Sequence, residues 1–293
     1  MSTAAPAERE TTIAAALASA CDRLAAAGVE APRQDARLLL QAAAGLETAH
    51  VIAYPERALD PATLARFQAA IDRRAGREPV SRILGRRAFW KHVFLVGSGS
   101  LDPRPDSELL VEQALRLLAP DATGLVVDLG VGSGCLLLSV LAERPALTGL
   151  GVDISGAALA VAAANAQALG LAGRCLLLQT DWASALRDHI ADCVIANPPY
   201  IRSSTIAALT EEVRGFDPRA ALDGGADGLE AYRRLAPQLP VLLKPTATLL
   251  LEIGHDQASA VSTLLAAAGM VVELPVADLA GRDRCLIATA AAL

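Results

Sequence analysis

From Leu125 to the C-terminus, short apolar runs alternate with stretches of helical spacing, and this leaves the chain few ways to fold. Strands are predicted at 125–129, 148–153, 174–179, 192–196, 246–253, 271–274 and 284–289. Helical stretches follow most of them. The clearest, 155–169, opens on Ser155, a side chain suited to an N-cap, and stops at Gly170. Strand–helix alternation of this kind specifies a mostly parallel sheet with helices on both faces, an α/β fold. Ligands of such sheets bind beyond the carboxyl ends of the strands, where the strand order reverses. The loops after the first four predicted strands are therefore the ones to read.

The residues before this region follow a different pattern. Ile13, Leu17, Leu24, Leu38–Leu40, Leu64, Phe67 and Ile71 recur at helical spacing, punctuated by Gly28, Gly45 and Pro55. Residues 1–76 are read as a small helical domain, either a partner-docking module or a stabilising cap. Residues 77–100 are read as a connector, in which β-prone 80–84 and 89–96 flank Gly85-Arg86-Arg87 as a hairpin. Residues 101–293 form the sheet domain, entered through Pro103-Arg104-Pro105-Asp106-Ser107-Glu108, where proline and acids suit the start of a helix at 109–118. A net charge of -6 argues against nucleic acid as the principal partner. The five cysteines are scattered, with no Cys-x-x-Cys pair, so neither a disulfide framework nor a metal site is expected. Buried thiols and the lack of a secretory signal fit the cytoplasm. The most apolar stretch, 239–253, is interrupted by Lys244 and Pro245 and is too short to span a bilayer.

Each of the four informative loops carries something. The first is Asp128-Leu129-Gly130-Val131-Gly132-Ser133-Gly134, where glycines allow a sharp turn and close approach to a ligand. It lacks the Gly-x-Gly-x-x-Gly spacing of dinucleotide sites, because Cys135 stands where the third glycine would be, and this favours a cofactor without a pyrophosphate. The second strand ends at Asp153, whose carboxylate either accepts from ribose hydroxyls or caps the next helix. After the third comes Asp181-Trp182, with an indole placed either to flank an adenine or to pack beneath the loop. After the fourth comes Asn197-Pro198-Pro199-Tyr200. Proline fixes φ and restrains its predecessor, so this loop is stiff and the Asn197 and Pro198 carbonyls are free to accept hydrogen bonds. A planar amide, two fixed turns and an aromatic face suit the gripping of another planar nitrogen group; the plainer reading is a Pro-rich loop that ends a strand.

Together these loops resemble the Rossmann-like methyltransferases that use S-adenosylmethionine. The resemblance implies that Gly130, Val131, Gly132, Ser133 and Gly134 cradle the methionine part, that Asp153 holds the ribose and Trp182 flanks the adenine, and that Asn197 lies between cofactor and acceptor. Asn-Pro-Pro-Tyr occurs in enzymes that methylate adenine in nucleic acid and in enzymes that methylate glutamine in protein. Further motifs resemble the peptide chain release factor glutamine methyltransferases of the PrmC type: Arg77-Glu78-Pro79-Val80, Gly85 to Trp90, Pro103 to Glu108, Asp227-Gly228-Leu229 and Leu250-Leu251-Glu252-Ile253-Gly254. That family implies a helical N-terminal domain, a hairpin and a seven-stranded catalytic domain. It also implies methylation of the glutamine in a Gly-Gly-Gln tripeptide of release factors, giving N5-methylglutamine. Asn197, Pro198 and Tyr200 then carry catalysis, and Pro199 joins them in binding the substrate. The alternative is an adenine-N6 methyltransferase acting on DNA or RNA. A monomer is expected, without sequence-specific nucleic-acid binding. Asp102 stands where that family carries an apolar residue, and Val131 and Ser133 where threonines are common.

Overall fold

The computed structural model describes residues 11–290. By internal contacts the chain divides into two units, Met1–Gly85 and Arg86–Leu293.

The described part of the first unit is helical: α1 (Ile13–Ala26), α2 (Pro32–Ala44), α3 (Thr48–Ala53), α4 (Pro61–Ala75) and α5 (Val80–Leu84). The Thr12 hydroxyl accepts from the Ala15 amide to cap α1, and the Asp60 carboxylate accepts from the Thr63 amide, 2.9 Å, to cap α4. Both satisfy amides that the helix itself leaves unpaired. Gly45 ends α2 at φ 63°, a conformation that a side chain resists. Ile13, Leu24, Leu39, Leu40, Phe67 and Ile71 meet in one core. Within it, Arg74 pairs with Asp35 at 2.8 Å.

Two expectations for the connector need correction. Residues 80–84 are helix α5, not strand: Val80, Ile83 and Leu84 have the i, i+3, i+4 spacing of one helical face, and Gly85 closes the turn at φ 68°. The hairpin lies further on, as β1 (Arg86–Phe89) and β2 (His92–Leu95), with Phe89 opposite His92. Its turn is Trp90-Lys91, with Trp90 at φ 53°, where glycine would be the ordinary choice. Glu108 accepts from the Trp90 amide at 2.7 Å, and Glu143 from its indole N–H at 3.1 Å. Phe89 and Phe94 anchor the hairpin in the core of the second unit.

A short 3-10 turn, Pro105–Ser107, leads into α6 (Glu108–Leu117). Then come β3 (Gly124–Leu129), α7 (Cys135–Glu143), β4 (Leu147–Asp153), α8 (Gly156–Ala168), β5 (Cys175–Gln179) and β6 (Ala191–Ala196). The remainder is α9 (Glu211–Phe216), α10 (Glu230–Leu235), α11 (Leu239–Leu242), β7 (Leu243–Glu252), α12 (Ala258–Ala267), β8 (Met270–Val272), β9 (Val276–Ala277) and β10 (Asp283–Ala290). The sheet order is β5-β4-β3-β6-β7-β10-β8, and the two-residue β9, not anticipated, pairs with β10. β3 to β7 are parallel, and β10 is antiparallel to its neighbours. Alternate residues feed two cores: Val126, Cys193, Ile195, Leu250 and Ile287 face one, and Val127, Val194, Leu249, Leu251 and Leu286 the other. Pro245 is tolerated inside β7 because the pairing with β6 jumps from Ala191–Leu243 to Cys193–Thr248, leaving the proline in a bulge beside Thr246 at φ 68°. Among the described residues no helix is long and apolar enough to cross a membrane.

The chain runs from β3 outward to β5 and returns to β6 on the other side of β3, so the strand order reverses there. Leu129 lies opposite Val152 on one side and Ala196 on the other, which brings the loops after β3, β4 and β6 to one level. The last of these is held from behind by two glycines. A Cβ on Gly224 would meet the Pro199 carbonyl at 2.8 Å and Tyr200 Cα at 2.9 Å; one on Gly228 would meet the Tyr200 carbonyl at 2.5 Å. Gly224→Ala therefore forces the Pro199-Tyr200 backbone to shift. It is expected to destabilise the protein by about 1–3 kcal/mol in urea unfolding, a cost typical of overpacking; an unchanged midpoint would show that the loop yields freely.

Candidate active site

The glycine loop is shaped by hydrogen bonds to the end of β4. The Gly130 and Val131 amides both donate to the Val152 carbonyl at 2.9 Å, and Gly130, Gly132 and Gly134 all have positive φ. The Gly132 amide donates to Asp153 Oδ2 at 3.0 Å and the Ser155 amide to Asp153 Oδ1 at 2.8 Å. Asp153 thus ties two loops together. It does not cap α8, since Ser155 does that through the Ala158 amide. Each Asp153 oxygen retains a second lone pair for a ligand hydroxyl. Trp182, at φ 52°, lays its ring against Gly130, where an added Cβ would stand 3.4 Å away. Behind the loop, Asn165 of α8 donates to the Ser133 carbonyl at 2.8 Å and exchanges hydrogen bonds with the Leu95 backbone, so one buried amide joins hairpin to cofactor loop.

A cavity of about 450 Å³ opens over these loops. Gly130, Val131, Gly132, Ser133, Asp153, Trp182, Asn197 and Pro199 line it, with Asp181, Arg104 and Ser107. Gly134, Pro198 and Tyr200 do not. Gly134 starts α7 from behind the wall, where a Cβ would meet Leu138 at 2.9 Å. Pro198 is buried, and Tyr200 turns its hydroxyl toward the strand ends. Two ion pairs brace the rim: Arg104 with Asp217, and Arg234 with Asp181. Asp217 also accepts from the Asp102 amide at 3.3 Å, and Arg87 lies 3.6 Å from the Asp102 carboxylate, so the polar residue at 102 is held within charged company.

Asn197 Nδ2 donates to Ser107 Oγ at 3.1 Å, and Ser107 Oγ donates to Glu252 Oε2 at 2.6 Å. Tyr200 OH donates to Glu252 Oε1 at 3.3 Å, and Arg284 Nη1 lies 3.4 Å from the same hydroxyl. Gln257 clasps the loop from the other side, donating to the Tyr200 and Gly228 carbonyls, both at 3.1 Å. Among the described residues, no hydrogen bond reaches Asn197 Oδ1 or the Pro198 carbonyl. Ser107, Glu252, Gln257, Asn165 and Gly224 have no assigned role in the sequence reading. The signal for Glu252 is plain in hindsight: a lone acid inside the apolar run 249–253.

Two buried carboxyls have unusual acidity. Burial pushes Glu252 up to about 7, against the pull of Ser107 and Arg284. Burial pushes Asp128 up to about 7, with the Leu137 amide acting in the opposite direction and the Asp153 charge reinforcing the rise. Neither Asp128 oxygen completes a hydrogen bond. Asp128 lies buried beneath the glycine loop and does not line the cavity; the cavity, the glycines and the lone pairs of Asp153 suit an adenosyl amino acid. S-Adenosylmethionine fits this donor and acceptor set.

The same acidities make the stability of the free protein depend on pH. Between the ordinary carboxylate range and pH 7, the folded state holds protons on Glu252 and Asp128 that the unfolded state has lost, so stability falls as pH rises through that window. Asp227, which Arg233 and the Leu229 amide hold down at about 2, is already ionised there and does not oppose the trend. Urea unfolding without cofactor should show a loss on the order of a few kcal/mol between pH 5 and 8, and Asp128→Asn should remove part of the slope; a slope unchanged in that variant would contradict the assignment.

Comparison with known proteins agrees with this geometry. The family model of the PrmC N-terminal domain matches residues 15–85, and that of the methyltransferase small domain matches 93–213. The release factor glutamine methyltransferase of Rhodospirillum rubrum is 49% identical over 266 residues, 91% of this chain and 81% of that protein. The proteins of the same name from Caulobacter vibrioides and Cereibacter sphaeroides are 46% and 47% identical, over 94% and 93% of this chain and 96% of each relative. Among solved structures, the catalytic domain of hMettl16, determined in complex with MAT2A 3'UTR hairpin 6, shares the fold. Its TM-score is 0.54 at 15% identity, over 68% of this chain and 74% of that one. Residues, geometry and relatives converge: this chain belongs to the release factor glutamine methyltransferase family.

Proposed function

We propose that the protein transfers a methyl group from S-adenosylmethionine to the side-chain amide nitrogen of the glutamine in the Gly-Gly-Gln tripeptide of peptide chain release factors. The observation that carries this reading is kinship over more than nine-tenths of the chain with enzymes of that name. The site agrees with it. A carboxamide nitrogen is a poor nucleophile because its lone pair is delocalised. Asn197 Oδ1 and the Pro198 carbonyl, both without hydrogen-bond partners among the described residues, are two acceptors fixed on a stiff loop. Accepting from the two N–H bonds of the substrate amide, they favour a pyramidal nitrogen and aim its lone pair. Pro199 lines the way in and Tyr200 backs the flat acceptor group. Bound S-adenosylmethionine would supply a methyl activated by its sulfonium; as the new N–C bond formed, the methyl–sulfur bond would break to leave S-adenosylhomocysteine, and the nitrogen would lose a proton to solvent. Positioning supplies most of the rate in such a displacement.

Gly130, Val131, Gly132 and Ser133, with Asp153, Trp182 and Asn197, hold the cofactor in this reading, while Gly134 shapes the same loop from behind. The helical unit docks the release factor. The protein acts as a cytoplasmic monomer, without sequence-specific binding of nucleic acid, in keeping with its net charge of -6.

Incubation with labelled S-adenosylmethionine and a bacterial release factor should label the wild-type factor and leave a Gln→Ala variant of its Gly-Gly-Gln tripeptide unlabelled; equal labelling of both would overturn the proposal. Asn197→Ala should lower kcat by roughly 100-fold or more, the scale of a lost positioning contact, and change the cofactor Kd by less than about tenfold. A collapse of cofactor binding with kcat preserved would mean that Asn197 serves the cofactor alone.

A further inference from the structure

Two of the motifs without a role in that chemistry are the Pro103–Glu108 run and the Leu250–Gly254 run. They meet at the back of Asn197. Ser107 from the first and Glu252 from the second are both buried, and their 2.6 Å hydrogen bond joins residues far apart in sequence.

We propose that Glu252, acting through Ser107, is a positioning residue that fixes which edge of the Asn197 amide faces the acceptor nitrogen. The inference rests on the glutamine-methylation reading above. The directions of the hydrogen bonds carry it. A serine hydroxyl has one proton. When Ser107 gives that proton to Glu252 Oε2, its oxygen accepts, and the partner 3.1 Å away is the amide nitrogen of Asn197. The Asn197 nitrogen is then committed to Ser107, and Oδ1 is left as the acceptor for the substrate N–H. Tyr200 repeats the pattern on the other oxygen: Arg284 Nη1 lies 3.4 Å from the phenol oxygen, and the phenol donates to Glu252 Oε1 at 3.3 Å. One carboxylate therefore sets the polarity of both side chains of the loop. A proton on Oε2 reverses the relay. The carboxylic acid donates to Ser107, the Ser107 proton becomes available to Asn197 Oδ1, and an amide turned to accept it presents N–H to the substrate's own N–H.

The surroundings of Glu252 leave it as the group that titrates here. From α10, Tyr232 OH donates to the Glu252 backbone carbonyl at 3.0 Å. From β10, Arg284 is charged and also faces Asp278 at 3.4 Å and Asp106 at 3.6 Å. Cys135 on α7 and Cys285 on β10 feel the Glu252 charge, but burial pushes both thiols up to about 12. Burial pushes the phenols of Tyr200 and Tyr232 up as well, so both stay protonated donors. Glu252 itself loses its proton near pH 7. Asp128 titrates in the same range but makes no hydrogen bond with Ser107 or Asn197, so any limb it contributes persists in Glu252→Gln and the part lost in that variant belongs to Glu252.

The test compares wild type, Glu252→Gln, Ser107→Ala and Ser107→Thr at saturating S-adenosylmethionine with a release factor as substrate, following kcat from pH 5.5 to 9. Transfer by the wild type establishes the reading on which the inference rests; no transfer defeats that reading and the inference with it. The wild-type kcat should rise with pH through about 7. Glu252→Gln should lower kcat roughly 10- to 100-fold, as expected for a misaimed contact, and flatten that limb with cofactor Kd unchanged. Ser107→Ala should lose less, and Ser107→Thr should restore it. In a double-mutant cycle, Glu252→Gln should cost little in an Asn197→Ala background, because the residue it acts through is gone. A wild-type kcat and pH profile in Glu252→Gln, or full additivity with Asn197→Ala, would overturn the proposal. Calorimetric binding of S-adenosylmethionine shows that each variant is folded; if Glu252→Gln does not bind it, the Ser107 pair and its cycle with Asn197→Ala decide.

Discussion

β3 pairs in parallel with β4 on one side and β6 on the other, Leu129 opposing both Val152 and Ala196, and the site hangs from that register. A one-residue slip of any of these strands would turn its side chains to the opposite face. Asp128 and Ile195 would then exchange faces of the sheet with their neighbours, and the glycine loop, Asp153 and Asn197 would no longer end at one height. The two cores enforce the register by alternation, since each strand sends one residue in two to each face. The sheet thus acts as a ruler, and the chemistry is written in the loops at its end.

Those loops are fixed by polar groups more than by bulk. Asp153 holds the glycine loop to the start of α8, and Asn165 holds the same loop to the hairpin. Gln257 and two glycines hold the Asn197–Tyr200 backbone. Buried amides and carboxylates are costly unless their partners are complete, so each such group specifies one arrangement. Asp128 is held differently: neither of its oxygens completes a hydrogen bond, and burial pushes its pKa up to about 7.

Much of this was legible in the sequence. Seven of the strands, the helix after β4 with its Ser155 cap, and the four loops are readable, because short apolar runs and glycine punctuation are local signals. Residues 80–84 misled because Val80 and Ile83 are β-branched and the segment spans barely one turn, too short for periodicity to separate helix from strand. The hairpin turn is hidden in the sequence because Trp90 occupies a left-handed position that a glycine would advertise. The partners of the loops were out of reach for a different reason. Ser107 and Glu252 touch across 145 positions, and Asn165 reaches Leu95 across 70; such pairings exist only once the sheet is assembled.

In the function proposed above, a stiff Asn197-Pro198 edge, oriented from behind, aims a substrate carboxamide at the methyl donor. A crystal structure with S-adenosylhomocysteine and a Gly-Gly-Gln peptide tests it most directly. The account predicts the glutamine nitrogen within about 3.2 Å of both Asn197 Oδ1 and the Pro198 carbonyl, with Asn197 Nδ2 still on Ser107. A glutamine nitrogen bound elsewhere, or an Asn197 amide turned with its nitrogen toward the substrate, would contradict it.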